Sequence, residues 1–406
     1  MRVFSLICAG LGLIAAPLAA QVALPRVPVP QAGPLIGPAF ETLDRTSADV
    51  QRSAQRLARD RLRTIERLVR RHPEAIERDA SGAPARRGEL LVMDATPHGL
   101  EPALNAGFRI LSRETVEGLD LSLLRVGVPA GMSLAEAQAA LGAILPQASI
   151  SADNLHFPSG DAGGAFLAVS AQAAANRSAA VGMIDGAPGR AVKVAEVRGF
   201  AAGAPYPSHH GSSVASLLAH AGSGTIRVAD VYGTDKAGGN ALAMAKGLGW
   251  LISRGSKVVT ISLVGPRNAV LERAIAAAQR KGVVVVAAVG NDGPAAPPAY
   301  PASYRGVVAV TGVDAKRRAL IEAGRALHLD YAAPGADIYG RNAQGKRIKL
   351  RGTSFATPLV AARAARAIGR GRDWRIALDA EAVDLGRKGA DDIYGRGLVC
   401  GQCTGR

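Results

Sequence analysis

Near its carboxyl end the 406-residue chain reads Arg351-Gly352-Thr353-Ser354-Phe355-Ala356-Thr357-Pro358, a turn that carries a serine between a strand-like stretch and a helical run of small residues. A serine hydroxyl is a weak nucleophile unless a neighbouring base activates it and a third group orients that base. Both groups occur upstream, since Asp185 ends an apolar stretch and His210 begins a helical pattern. The sequence therefore predicts a nucleophile, a base and an acid on separate elements.

The chain order of these three residues is informative. Acid, base and nucleophile follow one another as Asp185, His210 and Ser354, which is the order in subtilisin and differs from the orders in chymotrypsin and the α/β-hydrolases. Four more segments fall in the same order as in that family, namely 261–263, 287–291, 299–302 and 330–335. Over residues 176–398 the chain thus resembles the subtilisin-like serine proteases, whose two later loops correspond to the last two of these segments.

The resemblance implies a role for each matched residue. Ser354 attacks the scissile carbonyl, His210 takes its proton, and Asp185 orients the imidazole. The side-chain amide of Asn291 and the backbone N–H of Ser354 hold the oxyanion. The strand edge that pairs with the substrate is formed by Ser262, Leu263 and Val264. The implied activity is peptide-bond hydrolysis of protein or peptide substrates, with no cofactor and no metal site assigned.

Two of these assignments have local alternatives. His209 competes with His210 for the role of base, and the glycine that follows His210 favours the latter because it matches the family motif. Gly290-Asn291-Asp292-Gly293 would form a good turn in any case, so Asn291 is alternatively a turn residue. Its position after an apolar strand favours the oxyanion role.

The chain also departs from the family pattern at two positions. Gly186 and Ala187 follow Asp185 where the family usually has Ser or Thr and then Gly, so a hydroxyl near the acid is missing. Val264 replaces the first of two glycines that usually follow the substrate-pairing segment. A branched side chain there predicts a narrower or reshaped cleft.

Residues 176–398 have the pattern of an α/β domain. Apolar strands are predicted at 180–185, 226–231, 257–263, 283–289 and 307–313, with helices at 210–221, 239–254 and 269–281. Continuous apolar strands that alternate with helices indicate a parallel sheet buried on both faces. Binding sites of such sheets lie at the carboxyl ends of strands, so Asp185, Ser262 and Asn291 are expected to meet at one edge.

The amino-terminal end predicts export. Arg2 precedes an apolar run, and Leu18-Ala19-Ala20 supplies small residues at 19 and 20 for cleavage, so residues 1–20 are predicted to be a signal peptide, with an uncleaved membrane anchor as the alternative. Five prolines make 21–40 an extended linker. No other run approaches the length of a bilayer span. The expected location is therefore the periplasm or the cell exterior, with no transmembrane span after signal removal.

The formal net charge of +16 does not indicate a nucleic-acid partner, because nine arginines are concentrated between Arg45 and Arg71 without aromatic residues or a nucleic-acid motif. Residues 41–72 instead predict a basic amphipathic helix. Its apolar stripe would pack or pair, and its arginines would face water. Attraction to an anionic envelope surface or to an acidic substrate is the alternative.

Residues 88–157 predict strand, helix, strand, strand, helix and strand, with a capping box formed by Ser133 and Glu136. This βαββαβ order is the ferredoxin-like split βαβ arrangement. In the subtilisin-like family an α+β domain at this position resembles the propeptide, which acts as an intramolecular inhibitor. Residues 158–175, rich in Gly, Ala and Ser, are then the connector where self-cleavage is expected.

Residues 399–406 are predicted as a short tail. Because an exported protein meets an oxidising compartment, Cys400 and Cys403 are disulfide candidates. A redox or zinc site would need further Cys or His partners. The sequence as a whole predicts an exported serine endopeptidase made as a zymogen. The alternatives are a weak or inactive protease-like envelope protein that binds peptides or anionic surfaces, and a thiol–disulfide exchange protein.

Overall fold

The computed structural model describes residues 37–159 and 178–403, with side chains from residue 52 onward except that of Pro97. The predicted signal peptide, residues 21–36 of the predicted linker and residues 160–175 of the predicted connector lie outside the described residues. The chain divides into residues 1–46 and 47–406.

The first helix, α1, covers Gly37–Arg71 and begins inside the predicted linker. The linker prediction is therefore wrong at 37–40, where Pro38 lies in the first turn of the helix and its missing N–H costs nothing. The prediction that all the arginines face water is also wrong. Arg61 lies on the inward face and pairs with Asp292 at 3.1 Å.

A small antiparallel sheet follows α1, with two helices on one face. Its elements are β1 (Ile76–Arg78), β2 (Pro84–Met93), α2 (Pro97–Asn105), β3 (Arg109–Val116), β4 (Leu121–Gly127), α3 (Leu134–Ile144) and β5 (Ser149–Asn154). The strand order is β1-β2-β4-β3, with β5 pairing with β2. From β2 to β5 the order is the βαββαβ order, and the Ser133–Glu136 capping box is present. Strand β1 is additional, and β5 ends at Asn154 instead of continuing to residue 157.

The larger sheet has seven parallel strands. Its strands and the helices between them are, in chain order, β7 (Val181–Asp185), β8 (Glu196–Gly199), α4 (His209–His220), β9 (Ile226–Asp230), α5 (Ala241–Ser253), β10 (Val258–Ile261), α6 (Ala269–Arg280), β12 (Val284–Ala288), β13 (Val308–Val313) and β14 (Tyr331–Pro334). Two short strands outside this sheet, β6 (Phe157–Pro158) and β11 (Leu263–Val264), pair with each other. The hairpin β15 (Ala336–Arg341) and β16 (Arg347–Arg351) leads to α7 (Thr353–Gly369) and α8 (Trp374–Glu381). Each strand predicted for this sheet is present. The segment 330–335, expected as a loop, is largely the edge strand β14.

The strand order of this sheet, β14-β13-β12-β10-β7-β9-β8, explains where a site can form. After β7 the chain forms β8 and β9 on one side of β7, and it then crosses to form β10 on the other side of β7. Such a change of direction opens a crevice at the carboxyl ends of the two central strands. Helices α4 and α7 pack on one face and α5 and α6 on the other, so all the strands except the edge strand β8 are largely buried.

The small sheet packs its second face against α5 and α6, and apolar residues of both parts form one cluster. The approach is close, because a Cβ placed on Gly249 of α5 would collide with the backbone oxygen of Glu117. Asn268, which caps α6, donates from its side-chain amide to the backbone oxygen of Ala152 at 2.8 Å. Asp153 accepts from the backbone N–H of Leu242 at 3.0 Å in the first turn of α5.

Residues 399–403 pack against the core, so the prediction of a separate tail is wrong for this stretch. Val399 and Cys400 are buried in the cluster between the large sheet and α7, and Cys403 lies beside them. Cys400 and Cys403 form the predicted disulfide. In residues 37–159 and 178–403, no helix combines the length and apolarity that a bilayer crossing demands.

Candidate active site

Asp185 and His210 meet at the carboxyl edge of the large sheet. Asp185 is the last residue of β7 and has no exposed surface. His210 lies in the first turn of α4, which begins there because the Ser208 side chain accepts from the backbone N–H of Gly211. The imidazole Nδ1 is 2.9 Å from Asp185 Oδ2 and 3.0 Å from Oδ1. A buried carboxylate at this distance holds the Nδ1–H tautomer and leaves Nε2 to accept a proton.

Ser354 is the second residue of α7, and the sequence positions it by two special residues. Gly352 caps the helix with a φ of 138°, a conformation that other residues rarely adopt. Pro358 has no N–H to give to the carbonyl of Ser354, four residues earlier. The Ser262 hydroxyl takes that place and donates to the Ser354 carbonyl at 2.8 Å. The backbone N–H of Ser354 is one of the N–H groups that a helix start leaves without an intrahelical partner.

Asn291 follows β12 and joins the same cluster. Its Oδ1 accepts from the backbone N–H of Thr353 at 3.0 Å, while the hydroxyl of Thr353 donates to the Gly290 carbonyl at 3.2 Å. These two bonds tie the residue before Ser354 to the loop after β12. Because Oδ1 is engaged, the amide Nδ2 remains as the donor of this side chain.

Residues His156–Ser159, which we call the tail segment, lie against the predicted substrate-pairing edge. Strand β6 pairs antiparallel with β11, with Phe157 opposite Val264 and Pro158 opposite Leu263. The backbone N–H of Ser159 donates to the Ser262 carbonyl at 3.3 Å, and the carbonyl of Ser159 accepts from the Ser354 N–H at 3.0 Å. The tail segment therefore binds as a substrate strand would, with one carbonyl at the start of α7.

The Ser354 hydroxyl is engaged by the tail segment. Its Oγ lies 2.7 Å from Ser159 Oγ and donates to the Ser262 carbonyl at 3.0 Å. His210 Nε2 is buried and has no hydrogen-bond partner within the described part of the chain. A turn of the Ser354 side chain toward Nε2 must therefore precede any proton transfer between these two residues.

His156 of the tail segment fills a closed pocket. Its backbone oxygen accepts from the Tyr232 hydroxyl at 2.7 Å, and its backbone N–H donates to the Gly239 carbonyl at 2.8 Å. The ring lies so close to Gly265 that a Cβ there would be 2.6 Å from it. Burial lowers the pKa of His156 to about 4, so the ring is neutral when docked.

Gly186 and Val264, the two departures from the family pattern, can both be examined in the structure. A Cβ on Gly186 would lie 2.5 Å from Ser208 Oγ, so the hydroxyl of Ser208 occupies the space that a side chain at 186 would take. Asp185 Oδ1 accepts instead from the Gly186 backbone N–H at 2.8 Å. Val264 does not prevent strand pairing. Its methyl groups lie 3.6 Å from the Cβ position of Gly290.

Replacing Gly186 with serine is expected to lower the free energy of unfolding by about 1–3 kcal/mol, because the new side chain overlaps the residue that caps α4. Gly142→Ser is the matched control, since no atom lies within 4 Å of a Cβ at 142. Urea unfolding of both variants in a Ser354→Ala background gives the comparison. Equal stability of the two variants would contradict this account of Gly186.

The structure places Asp185, His210, Ser354, Asn291 and the segment 262–264 at one edge of the large sheet. Cys400 and Cys403 lie in the core beside α7, apart from this group. Sequence reasoning missed Tyr232, Gly239 and Ser208, whose contacts depend on distant parts of the chain. Among the described residues, no cluster of three or more His, Cys, Asp or Glu side chains is arranged to hold a metal ion.

Comparison with known proteins agrees with this geometry. Residues 201–397 match the Subtilase family, peptidase S8. Subtilisin Savinase of Lederbergia lenta is 32% identical over 212 residues, which are 48% of this chain and 77% of that protein. Alkaline protease of Shouchella clausii is 32% identical over the same length, but the match covers 55% of that protein. Thermitase of Thermoactinomyces vulgaris is 38% identical over 159 residues, 39% of this chain and 53% of that protein.

A solved structure supports the fold. Fervidolysin of Fervidobacterium pennivorans, described as a keratinolytic enzyme related to subtilisin, superposes with a TM-score of 0.64 and 16% identity over 79% of this chain and 61% of that one. The chain belongs to the subtilase family and has its seven-stranded parallel sheet. Its class is that of the serine endopeptidases.

Proposed function

We propose that this chain is an exported serine endopeptidase made as a zymogen, in which Asp185, His210 and Ser354 act as a catalytic triad. One observation carries the proposal. The carbonyl of Ser159 accepts from the Ser354 N–H at 3.0 Å, beside a buried Asp185–His210 pair. A peptide strand bound in this way presents its carbonyl to a serine hydroxyl, a base and a hydrogen-bond donor at once.

The reaction follows from the positions of these groups. The Ser354 hydroxyl turns to His210, loses its proton to Nε2 and attacks the carbonyl carbon of the bound strand. Asp185 keeps Nδ1 protonated and stabilises the imidazolium that forms. The developing oxyanion is held by the Ser354 N–H, which also carries the positive end of the α7 dipole, and by Asn291 Nδ2. His210 then gives its proton to the leaving amine, and water hydrolyses the acyl-enzyme.

The small sheet and the tail segment serve as the propeptide in this proposal. Support comes from the tail segment, which is hydrogen-bonded to both walls of the cleft, to β11 on one side and to Gly239 on the other. The Asn268 and Asp153 contacts hold the small sheet on the starts of α6 and α5. A chain cut after Ser159 would keep the tail segment in the cleft as a product-like inhibitor.

Self-processing of the full chain is expected to release an amino-terminal fragment that ends at Ser159, because the carbonyl of that residue is the one bound by the Ser354 N–H. Intact-mass spectrometry of the processed protein gives the new terminus. The Ser354→Ala variant is the control and should remain whole. A fragment that ends elsewhere between residues 160 and 177 would move the cleavage site, and an unprocessed wild-type chain would favour peptide binding without turnover.

A further inference from the structure

The inward face of α1 packs on residues 178–403, the part of the chain that contains the large sheet. Ala54, Leu57, Arg61 and Ile65 recur at a spacing of three or four residues, which puts them on one side of the helix. Ala54 and Ile65 are buried, and Arg61 is 24% exposed. This side of the helix is therefore a docked face and not a solvated one.

The docked face contacts the loop that carries the proposed oxyanion residue. Arg61 Nε is 3.1 Å from Asp292 Oδ2, one residue after Asn291. Leu57 covers Gly293 so closely that a Cβ there would lie 3.0 Å from its Cδ1. Gly293 also has a φ of 82°, which keeps the loop open to this approach. Partial burial raises the pKa of Asp292 and the Arg61 guanidinium opposes that rise, while 42% of the Asp292 side chain stays exposed.

The docked face continues to Leu68, three residues after Ile65, and there α1 reaches the tail segment. Leu68 and its neighbour Val69 pack in one cluster with Leu155 and with Phe157 of the tail segment. From Leu57 to Leu68 the helix rises about 16 Å, which is also about the length of five extended residues such as 155–159. One rigid helix thus joins the strand that fills the cleft to the loop beside Ser354.

We propose that the Asp292–Gly293 surface is a docking site for a basic amphipathic helix, and that α1 fills it as a second latch, which keeps the cleaved tail segment in the cleft. The proposal rests on the zymogen function proposed above. Cutting after Ser159 then leaves two attachments, the tail segment and the helix, on one fragment. Loss of either attachment raises the rate at which that fragment leaves, because both must open together for the cleft to clear.

The test uses the full chain after self-processing. The Arg61→Glu variant places like charges together, and the amino-terminal fragment is expected to dissociate about tenfold faster than in the wild type, a change worth about 1.4 kcal/mol. Arg59→Glu is the matched control with the same charge change, because Arg59 is exposed on the same helix and bonds to the backbone of Gln55. Recovery of peptide hydrolysis after dilution measures the dissociation rate.

Two further variants complete the design. The double variant Arg61→Glu/Asp292→Arg restores the pair with reversed charges and should return the dissociation rate to within about threefold of the wild type. Leu57→Ala removes packing without a charge change, and faster release is expected there as well. If Arg61→Glu fails to fold, Leu57→Ala decides the question.

The outcomes separate this proposal from the function itself. Equal dissociation rates for Arg61→Glu, Leu57→Ala and Arg59→Glu, with normal processing in all three, would overturn the latch and leave the protease function intact. Wild-type chain that is never processed would overturn the zymogen function on which the latch depends.

Discussion

The Ser354→Ala variant is expected to fold and to lose both peptide hydrolysis and self-processing, so that full-length precursor accumulates. The loss should be about 10⁶-fold in kcat, the size found for the equivalent change in subtilisin. The physical reason is that, among the described residues, no other hydroxyl lies at the start of α7 with its own N–H directed at the Ser159 carbonyl. Expression in a protease-deficient host, followed by gel electrophoresis and a peptide assay, measures both losses.

Normal maturation of Ser354→Ala in that host would show that another residue carries the reaction. Circular dichroism of the purified variant is the control for folding. Within residues 37–159 and 178–403 the hydroxyl bonds to Ser262 and Ser159 in the cleft and to no group that holds α7, so its loss should leave the α7 start intact.

His210→Ala is expected to lose about as much activity as Ser354→Ala, because the members of a triad act as a unit and their losses do not add. His209→Ala is the matched control. Its side chain is exposed and the neighbouring histidine is the one bonded to Asp185, so activity should stay within about threefold of the wild type. Rates of peptide hydrolysis by the two variants, after thermal unfolding has verified their folding, give the ranking.

The opposite ranking of the two histidines would move the base by one residue. It would also conflict with the structure, in which His210 and not His209 is hydrogen-bonded to the buried Asp185. A double variant with Ser354→Ala provides a further check, since its activity should equal that of either single variant.

Much of the enzyme part was predictable, because its strands are continuous apolar runs and its site residues come where those runs end. Val181–Asp185 and Val284–Ala288 are examples, and both strands are fully buried. A parallel sheet brings strand ends to one edge whatever the loops do. The position of Asp185, Ser262 and Asn291 at one edge of the sheet was therefore predictable from the sequence.

The tail segment was only partly predictable. The sequence indicates a strand that continues to residue 157, but β5 ends at Asn154 and the next residues leave the small sheet for the cleft. Phe157 and Pro158 have a strand-like pattern in either case. Which sheet a strand joins depends on its partner, and the partner β11 lies about a hundred residues away along the chain.

The inward position of Arg61 was not predictable from helical periodicity. An arginine among the apolar residues of an amphipathic helix is not expected to face inward unless it has an acidic partner. The partner of Arg61 is Asp292, which belongs to a loop more than two hundred residues later and is not indicated by the helix sequence. The same holds for Gly186, whose missing side chain is explained by Ser208 across the site. In both cases a long-range contact, and not a local pattern, decides the residue.

The measurement that tests the central claim most directly is active-site labelling with a fluorophosphonate probe, which reacts with an activated serine and not with an ordinary one. Wild-type protein, freed of its amino-terminal fragment, is treated with the probe, digested and mapped by mass spectrometry. One adduct is expected on Ser354, and it should be lost in His210→Ala and retained in His209→Ala. Failure of the processed protein to react, or an adduct on another serine, would contradict it.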